Sequence, residues 1–385
     1  MSIFRASAYL FLLVLLSLQL AVTVVHAFAS ANSYSLGVDS KALGSQPTIV
    51  ILVEFKNLAH QRSKEDIAVD IFKDLNNYIT ETSYNASWLV GDITDWVKLP
   101  SESSSYGRDF GPFIDVESRT LIADSLRAVD PLVNFKLYKH IIIVHAGMGQ
   151  ETTGTLSDIW SGQLYCRPPV YADGLVLTNV MIVPEKDARE IDPLGVYAHE
   201  FMHSLGLPDL YPDSKLKNSK HIGPWDVMDT GLRNGEPKGS RPSHPCAWSK
   251  ITLNWPIKTR TVYSGSVEEI TIGPIESVTG CVQAVILPIT AGRYYLIEVR
   301  LQLGFDSYLP SEGVILTEID ERRTPTGGMV RVMDADPSTP ELRNAAFKVG
   351  QTYEDASRLV RILVTAESAG FTVLIDRRIP TSQHP

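Results

Sequence analysis

The feature that most constrains this chain is the segment HEFMHSLGLPD, which occupies residues 199–209 of a 385-residue sequence. Residues four apart share one face of an α-helix, so His199 and His203 can direct both imidazoles at a single zinc ion. Glu200 lies one step around the helix, where it can reach a water molecule beside that ion. The segment therefore predicts a helix over 194–205 that carries two metal ligands and a general base.

A third ligand is expected just beyond this helix. Gly206 permits the sharp turn with which a helix ends, and Asp209 then returns a carboxylate to the open side of the site. Asp226 and Asp229 are the alternatives for this ligand. Three protein ligands leave a fourth position for water, which distinguishes a catalytic zinc site from a structural one. The segment thus predicts zinc-dependent hydrolysis in which Glu200 moves the proton.

The first residues have the order of a secretory signal. Arg5 precedes an apolar run over 8–25, and the small residues of an A-x-A cleavage site follow. This order predicts a signal peptide over 1–29 and a linker or short pro-segment over 30–46. The alternative is a retained membrane anchor, because the apolar run is nearly long enough to span a bilayer. We therefore expect a secreted or cell-surface protein that contacts a membrane only if the anchor is retained.

Patterns of apolar residues divide the remaining chain into two parts. The first, over 47–260, mixes strands with amphipathic helices. The second, over 261–378, contains seven short apolar runs separated by turn signals, and 379–385 is a tail. In the first part we predict strands over 47–55, 140–146 and 175–183, and helices over 64–80, 116–129 and 194–205. The predicted fold class is α+β: a twisted mixed sheet crossed by the zinc-binding helix, followed by a β-rich sandwich or jelly-roll domain.

Net charge argues against nucleic-acid binding, and cysteine content argues against a disulfide framework or a cysteine-held metal. The formal charge is −9, so no broad cationic surface is available to neutralise nucleic-acid phosphates. The three cysteines are odd in number and none has CxxC spacing. They therefore predict neither a disulfide framework nor a cysteine-held metal.

Several stretches of the sequence resemble the M6 family of metallopeptidases, the immune inhibitor A type. The resemblance covers nearly all of the chain after the signal and continues into YYLIEVR, GVILTEID and VMDADP. Its most specific parts are TIVILVEF, IIIVHAGMGQETTG, GVYAHEFMHSLGLPDLY, and GPWDVM with the later AWSKITLNW. The resemblance implies a metzincin-like catalytic domain that hydrolyses polypeptides. It also implies that zinc is bound by His199, His203 and Asp209, that Glu200 is the general base, and that Met228 is the Met-turn residue.

Further candidate residues lie outside this motif. His244 follows the Met-turn in a Pro-rich loop and is a candidate for steadying the developing oxyanion. Asp334, Asp336 and Glu341 supply hard oxygens that are candidates for a calcium site. A substrate is expected to add a strand to the sheet edge, supplied by the strand over 175–183 or by the VHAGMGQE strand end. The alternative to an endopeptidase is a catalytically silent surface or binding protein that keeps the fold.

Overall fold

The computed structural model describes residues 42–188, 191–216, 219–278 and 280–378. The predicted signal peptide, most of the predicted linker and the tail lie outside these ranges. Within the described ranges, no helix is long and apolar enough to cross a membrane.

The N-terminal part is built on one six-stranded mixed sheet. Its strands are β1 (Gly44–Glu54), β2 (Ser87–Ile93), β3 (Val97–Lys98), β4 (His140–His145), β5 (Gly162–Ala172) and β6 (Leu175–Pro184). Their order is β2-β1-β4-β6-β5, and β3 pairs with β1 beyond the end of β2. All pairs are parallel except β5 with β6, which is antiparallel. β5 is therefore an edge strand, whereas β6 lies between two neighbours.

Helices cover both faces of this sheet. They are α1 (Lys64–Val69), α2 (Asn76–Thr82), α3 (Ser103–Tyr106), α4 (Ser118–Val129), α5 (Gln150–Thr153), α6 (Leu194–Leu205) and α7 (Ala247–Thr252). A π-helical turn over Asp70–Leu75 joins α1 to α2, so the predicted helix over 64–80 is one continuous helical segment. The predicted helix over 116–129 begins two residues later, and α6 has its predicted bounds.

The alternation of side chains along the strands separates two cores. Val50 and Leu52 of β1 pack beneath α6 and the α1–α2 segment, together with apolar residues of β4 and β6. Ile49, Ile51 and Val53 point to the opposite face, where they contact α4. The α6 helix, which carries the HEFMH segment, is thus held against a continuous apolar surface, and its position is set by the sheet.

The C-terminal part contains two antiparallel-rich sheets that share a third core. Their strands are β7 (Thr259–Thr261), β8 (Val267–Ile272), β9 (Ala284–Thr290), β10 (Arg293–Arg300), β11 (Gly313–Asp320), β12 (Val330–Val332), β13 (Thr352–Asp355), β14 (Val360–Glu367) and β15 (Phe371–Asp376). One sheet has the order β12-β11-β10-β9-β7 and the other β13-β14-β15-β8. The α+β class is confirmed, and the jelly-roll assignment stays a prediction.

Short 3-10 helices connect these elements. They span Phe135–Leu137, Ser214–Leu216, Gly223–Trp225, Thr230–Arg233, Gly304–Tyr308, Pro325–Gly327, Pro340–Leu342 and Ala356–Arg358. Two of them, Gly223–Trp225 and Thr230–Arg233, flank the predicted Met-turn. Their position beside α6 brings that turn to the metal motif.

Candidate active site

The end of α6 is shaped by Gly206. This residue has a φ of 116°, a conformation that favours glycine, and its N–H donates to the carbonyls of Met202 and His203. Leu207 N–H donates to Met202 O at 3.0 Å, so the chain folds back over the last helical turn. The turn places the Leu207 carbonyl beside His203 and carries the chain on to Asp209.

The two histidines of α6 face one another through their Nε2 atoms, which lie 3.1 Å apart. Their Nδ1 atoms point the other way: His199 Nδ1 lies 2.9 Å from Val227 O, and His203 Nδ1 lies 2.7 Å from Leu207 O. A carbonyl oxygen only accepts, so each Nδ1 carries the proton and each Nε2 presents a lone pair. This is the tautomer required of a metal ligand.

Asp209 completes a triangle with these nitrogens. Its Oδ1 lies 3.2 Å from His199 Nε2 and 3.1 Å from His203 Nε2. Among the described residues these three form the one cluster of His, Cys, Asp or Glu whose ligand atoms lie within 4.8 Å of one another. Two imidazole nitrogens and a carboxylate oxygen brought this close together fit a divalent cation such as zinc.

The charges around the triangle shift its pKa values. Burial opposes the charged form of His199, but the Asp209 and Glu200 carboxylates outweigh it and raise the pKa of His199 to about 9. Burial likewise opposes ionisation of Asp209, but the two imidazoles hold the pKa of Asp209 below its usual range. Without a cation, these side chains are therefore stabilised by sharing protons, and a cation would replace those protons.

Asp226 and Asp229, the alternative third ligands, are engaged elsewhere. Asp226 accepts hydrogen bonds from the backbone of Met228 and Cys246 and from the Ser249 hydroxyl. Asp229 accepts from the backbone N–H groups of Gly223 and Thr230 at 2.7 Å each. Both carboxylates therefore stabilise the loop beneath the site and do not face the histidines.

The predicted Met-turn contacts both sides of the triangle through its backbone. Val227 O accepts the His199 hydrogen bond, and Met228 O accepts from Leu210 N at 2.9 Å, directly after Asp209. The Met228 side chain is fully buried in the core beneath α6. This loop therefore orients one imidazole and holds the segment that carries the third side chain.

Glu200 is the candidate base. Its side chain is 6% exposed and lines the cleft, and its Oε2 has no hydrogen-bond partner among the described residues. Burial raises the pKa of Glu200, while the two imidazoles act in the opposite direction. An unpartnered carboxylate next to metal-ligand candidates is available to take up and release a proton.

These residues line a cleft of about 690 Å³. One wall comes from the start of the edge strand β5 and from Glu151, which accepts hydrogen bonds from the Ser161 hydroxyl at 2.6 Å and its N–H at 3.1 Å. Sequence spacing gave no signal for several other lining residues, because they reach the cleft from distant segments. These include Trp160, Gln163, Leu232, Arg233, Pro325 and Thr326.

Tyr211 extends the site on the side of Asp209. Its ring is stacked against that of His199, with the ring centroids 6.4 Å apart, and the side chain is 42% exposed. Burial and the neighbouring Asp209 carboxylate raise the pKa of Tyr211, so its hydroxyl stays protonated and can donate a hydrogen bond into the cleft. Its position two residues after Asp209 is the one sequence feature that could have indicated a place in the cleft.

His244 is not brought to the cleft. Its side chain is fully buried, with Nε2 3.0 Å from Glu81 Oε1 and Nδ1 3.2 Å from Lys250 Nζ. The Pro-rich loop turns inward because Asp306 accepts from the His244 backbone N–H. The geometry gives this residue a structural position instead of the expected place beside an oxyanion.

The candidate calcium residues do not converge either. Asp334 lies 3.3 Å from Lys220 Nζ, and Asp336 accepts from Ser338 and Asn344. Glu341 lies on the surface beside Arg343. Because each carboxylate has its own local partner, nothing in their arrangement favours a shared cation.

This chain is similar in sequence to known metallopeptidases, which agrees with a metal-binding site in the cleft. The family profile for the immune inhibitor A peptidase M6 catalytic domain matches residues 135–258. Immune inhibitor A of Bacillus thuringiensis subsp. alesti is 28% identical over 216 residues, which cover 46% of this chain and 30% of that protein. The pre-pro-metalloprotease PrtV of Vibrio cholerae serotype O1 is 24% identical over 241 residues, covering 54% of this chain and 26% of that protein. The chain thus spans less than a third of each relative.

Proposed function

We propose that this chain, whose residues 135–258 match the immune inhibitor A peptidase M6 catalytic domain, is an M6 metallopeptidase and a zinc-dependent endopeptidase acting on polypeptides. One observation carries the proposal. His199 Nε2, His203 Nε2 and Asp209 Oδ1 lie within 3.2 Å of one another in an open cleft, next to an unpartnered Glu200. Export of the protein is part of the proposal and rests on the signal-like order of residues 1–29.

Each protein group has a distinct task in the proposed reaction. His199, His203 and Asp209 would hold the zinc ion. When bound, the ion supplies Lewis acidity, which polarises a carbonyl and lowers the pKa of water to about 7. Glu200 would accept a proton as water attacks the peptide carbonyl and return it to the leaving amine. Val227 and Leu207 would keep the imidazoles in the required tautomer throughout.

The substrate would lie extended along β5. This strand forms the edge of the sheet and its first residues line the cleft, so its free N–H and C=O groups can pair with a peptide. The expectation that β6 supplies this edge is wrong, because β6 pairs with β4 on one side and β5 on the other. The second expected edge, at the end of β4, is also internal, since β4 lies between β1 and β6.

The test combines metal analysis with one substitution. The purified protein should contain about one zinc per chain and hydrolyse an unfolded protein substrate. Glu200→Gln keeps the shape of the side chain but cannot take up the proton, so it should retain the metal and lose hydrolysis by at least about 100-fold. A metal-loaded wild-type protein that cleaves none of many unfolded substrates would instead favour a silent binding protein.

A further inference from the structure

Charge is distributed unevenly over the cleft lining. The lining carries the carboxylates of Glu151, Glu200 and Asp209, and, besides the two histidines, one basic side chain, Arg233. A guanidinium stays charged at every physiological pH and offers several donors in a planar fork. Arg233 is therefore the one permanent cation that the described residues present to a bound peptide in this cleft.

The backbone of Arg233 is held in place on both sides. Leu232 O packs so closely on α6 that a Cβ added to Gly195 would lie 1.9 Å from it. On the other side, Asn234 Nδ2 donates to Pro224 O at 3.0 Å. Gly195 precedes His199 by about one helical turn, so Arg233 has a fixed position near the metal-ligand candidates.

The guanidinium of Arg233 has no hydrogen bond or ion pair with any residue that the structure describes, although its side chain is partly buried. Two of the three carboxylates in the cleft have partners of their own: Glu151 accepts from Ser161, and Asp209 faces the two imidazoles. The third, Glu200, is the candidate base and makes no ion pair with Arg233. The buried Arg300, by comparison, pairs with Asp306. A partly desolvated cation with no protein counter-ion favours an anion supplied by a ligand.

We propose that Arg233 determines specificity by binding a carboxylate of the substrate. The carboxylate would come from an Asp or Glu side chain near the cut bond or from the C-terminus of a short peptide. This inference rests on the proposed peptidase function. Although the protein carries a net negative charge and its cleft is largely acidic, the inference predicts that it prefers substrates with a negative charge at one defined position.

The test uses fluorogenic peptides that carry Glu, Gln or Lys at one position at a time around the cut bond and are otherwise identical. The wild-type protein should cleave the Glu peptide with a kcat/KM about 10- to 100-fold higher at one position, the range expected of a charge-assisted hydrogen bond. Arg233→Ala should abolish this preference, and Arg233→Glu should reverse it towards Lys. Peptides with free and amidated C-termini separate the two sources of the carboxylate.

Lys238→Glu is the matched control. It makes the same change of charge in the same loop, but its side chain is exposed and lies outside the cleft lining. The control should keep the wild-type preference. An active wild-type protein without any charge preference, or an Arg233→Ala variant with an unchanged preference, would overturn the inference while leaving the peptidase function intact.

Measuring peptide affinity tests the role of Arg233 even when the protein does not hydrolyse the peptide. The Glu200→Gln protein should bind the Glu peptide more tightly than the Gln peptide, and adding Arg233→Ala should remove that difference. Equal affinities for the two peptides would contradict the role of Arg233 even if no hydrolysis is ever seen. Absence of hydrolysis and of bound zinc, by contrast, would count against the proposed function.

Discussion

At the scale of single residues, the metal-facing nitrogens are set by hydrogen bonds on the far side of each ring. Val227 O and Leu207 O hold the Nδ1 protons of His199 and His203. Both acceptors are backbone atoms in loops, so no side-chain substitution removes them directly. The orientation of the ligands therefore depends on the turn after α6 and on the Met-turn, and Asp209 is the member most open to a direct test.

Asp209→Ala should weaken zinc binding by at least about 100-fold, because the histidine pair alone leaves the ion with two protein ligands. The affinity can be measured by competition with a chromogenic chelator. Glu341→Gln is a suitable control, since this carboxylate lies on the surface beside Arg343. An unchanged affinity in Asp209→Ala would mean that another side chain supplies the third ligand.

Asp115 provides a pH-dependent prediction at the same scale. Burial, with Asp109 and Glu151 nearby, raises the pKa of Asp115 to about 7, although Trp160 N–H donates to its Oδ2. The folded state then binds more protons than the unfolded state between about pH 4 and pH 7, so stability falls as pH rises through this window. Asn at this position keeps the acceptor for Trp160 and tolerates the φ of 46°.

Asp115→Asn should therefore be as stable as the wild type near pH 4 and more stable at pH 8, by as much as about 4 kcal/mol. Urea denaturation at a series of pH values measures the difference. Asp130→Asn, at an exposed position, should leave the pH profile unchanged. A constant difference between Asp115→Asn and wild type at all pH values would contradict the assigned pKa.

At the scale of elements, the spacing of residues in the sequence predicted those features that depend on contacts between neighbouring residues. The bounds of α6 follow from its apolar face and from Gly206, and its ligands follow from the helical repeat. The edge strand β5 could not be predicted in this way. It contains Pro168 and Pro169, which argue against a strand, and it accommodates them where its register with β6 shifts between Tyr165 and Val170.

Sheet order and the cleft wall also depend on contacts distant in sequence. Trp160 and Arg233 reach the cleft from segments on either side of α6, and nothing in their own spacing distinguishes them from surface residues. His244 shows the opposite failure, because its position after the Met-turn suggested the cleft whereas Glu81 and Lys250 hold it in the interior. The functional residues within one helix could thus be predicted from the sequence, whereas those that distant elements bring together could not.

The contact between α6 and the loop carrying Arg233 gives a prediction for an element. In Gly195→Ala the new Cβ would lie 1.9 Å from Leu232 O, which is backbone, so the loop or helix must shift. We expect a loss of about 1–3 kcal/mol in the free energy of unfolding and of about 10- to 100-fold in kcat/KM. Denaturant titration and peptide hydrolysis measure the two effects.

Gly162→Ala is the control for stability in that experiment. The added Cβ would meet only the Leu164 side chain, at an ordinary 3.6 Å. Its free energy of unfolding should stay within about 0.5 kcal/mol of the wild type. If Gly195→Ala is equally mild, the close approach of the loop to α6 is not a tight constraint.

At the scale of the whole molecule, the C-terminal sheets support the active site directly. The core beneath α6 includes Leu296 of β10 and Ile315 of β11 together with Val50 and Leu52 of β1. The two parts of the chain that we divide near residue 260 therefore share one continuous hydrophobic core. This continuity favours a bracing role for the β-rich part.

Arg300 joins the two parts through polar contacts. It lies at the end of β10, is fully buried, and pairs with Glu276, Glu298 and Asp306. Its Nη1 also donates to Trp225 O at 2.6 Å, immediately before the Met-turn. One guanidinium thus pairs with three buried carboxyl groups and also holds the loop that orients His199.

Arg300→Met should consequently affect both stability and the site. Removing the cation leaves several carboxylates buried without compensation, which should cost about 3–5 kcal/mol in the free energy of unfolding. Arg260→Met, which breaks an exposed pair with Glu268, should cost less than about 1 kcal/mol. Because Trp225 O also loses its donor, the fraction of Arg300→Met that remains folded should bind zinc more weakly, as measured by chelator competition below its unfolding transition. Wild-type zinc affinity in the folded variant would show that the Met-turn keeps its position without the hydrogen bond from Arg300.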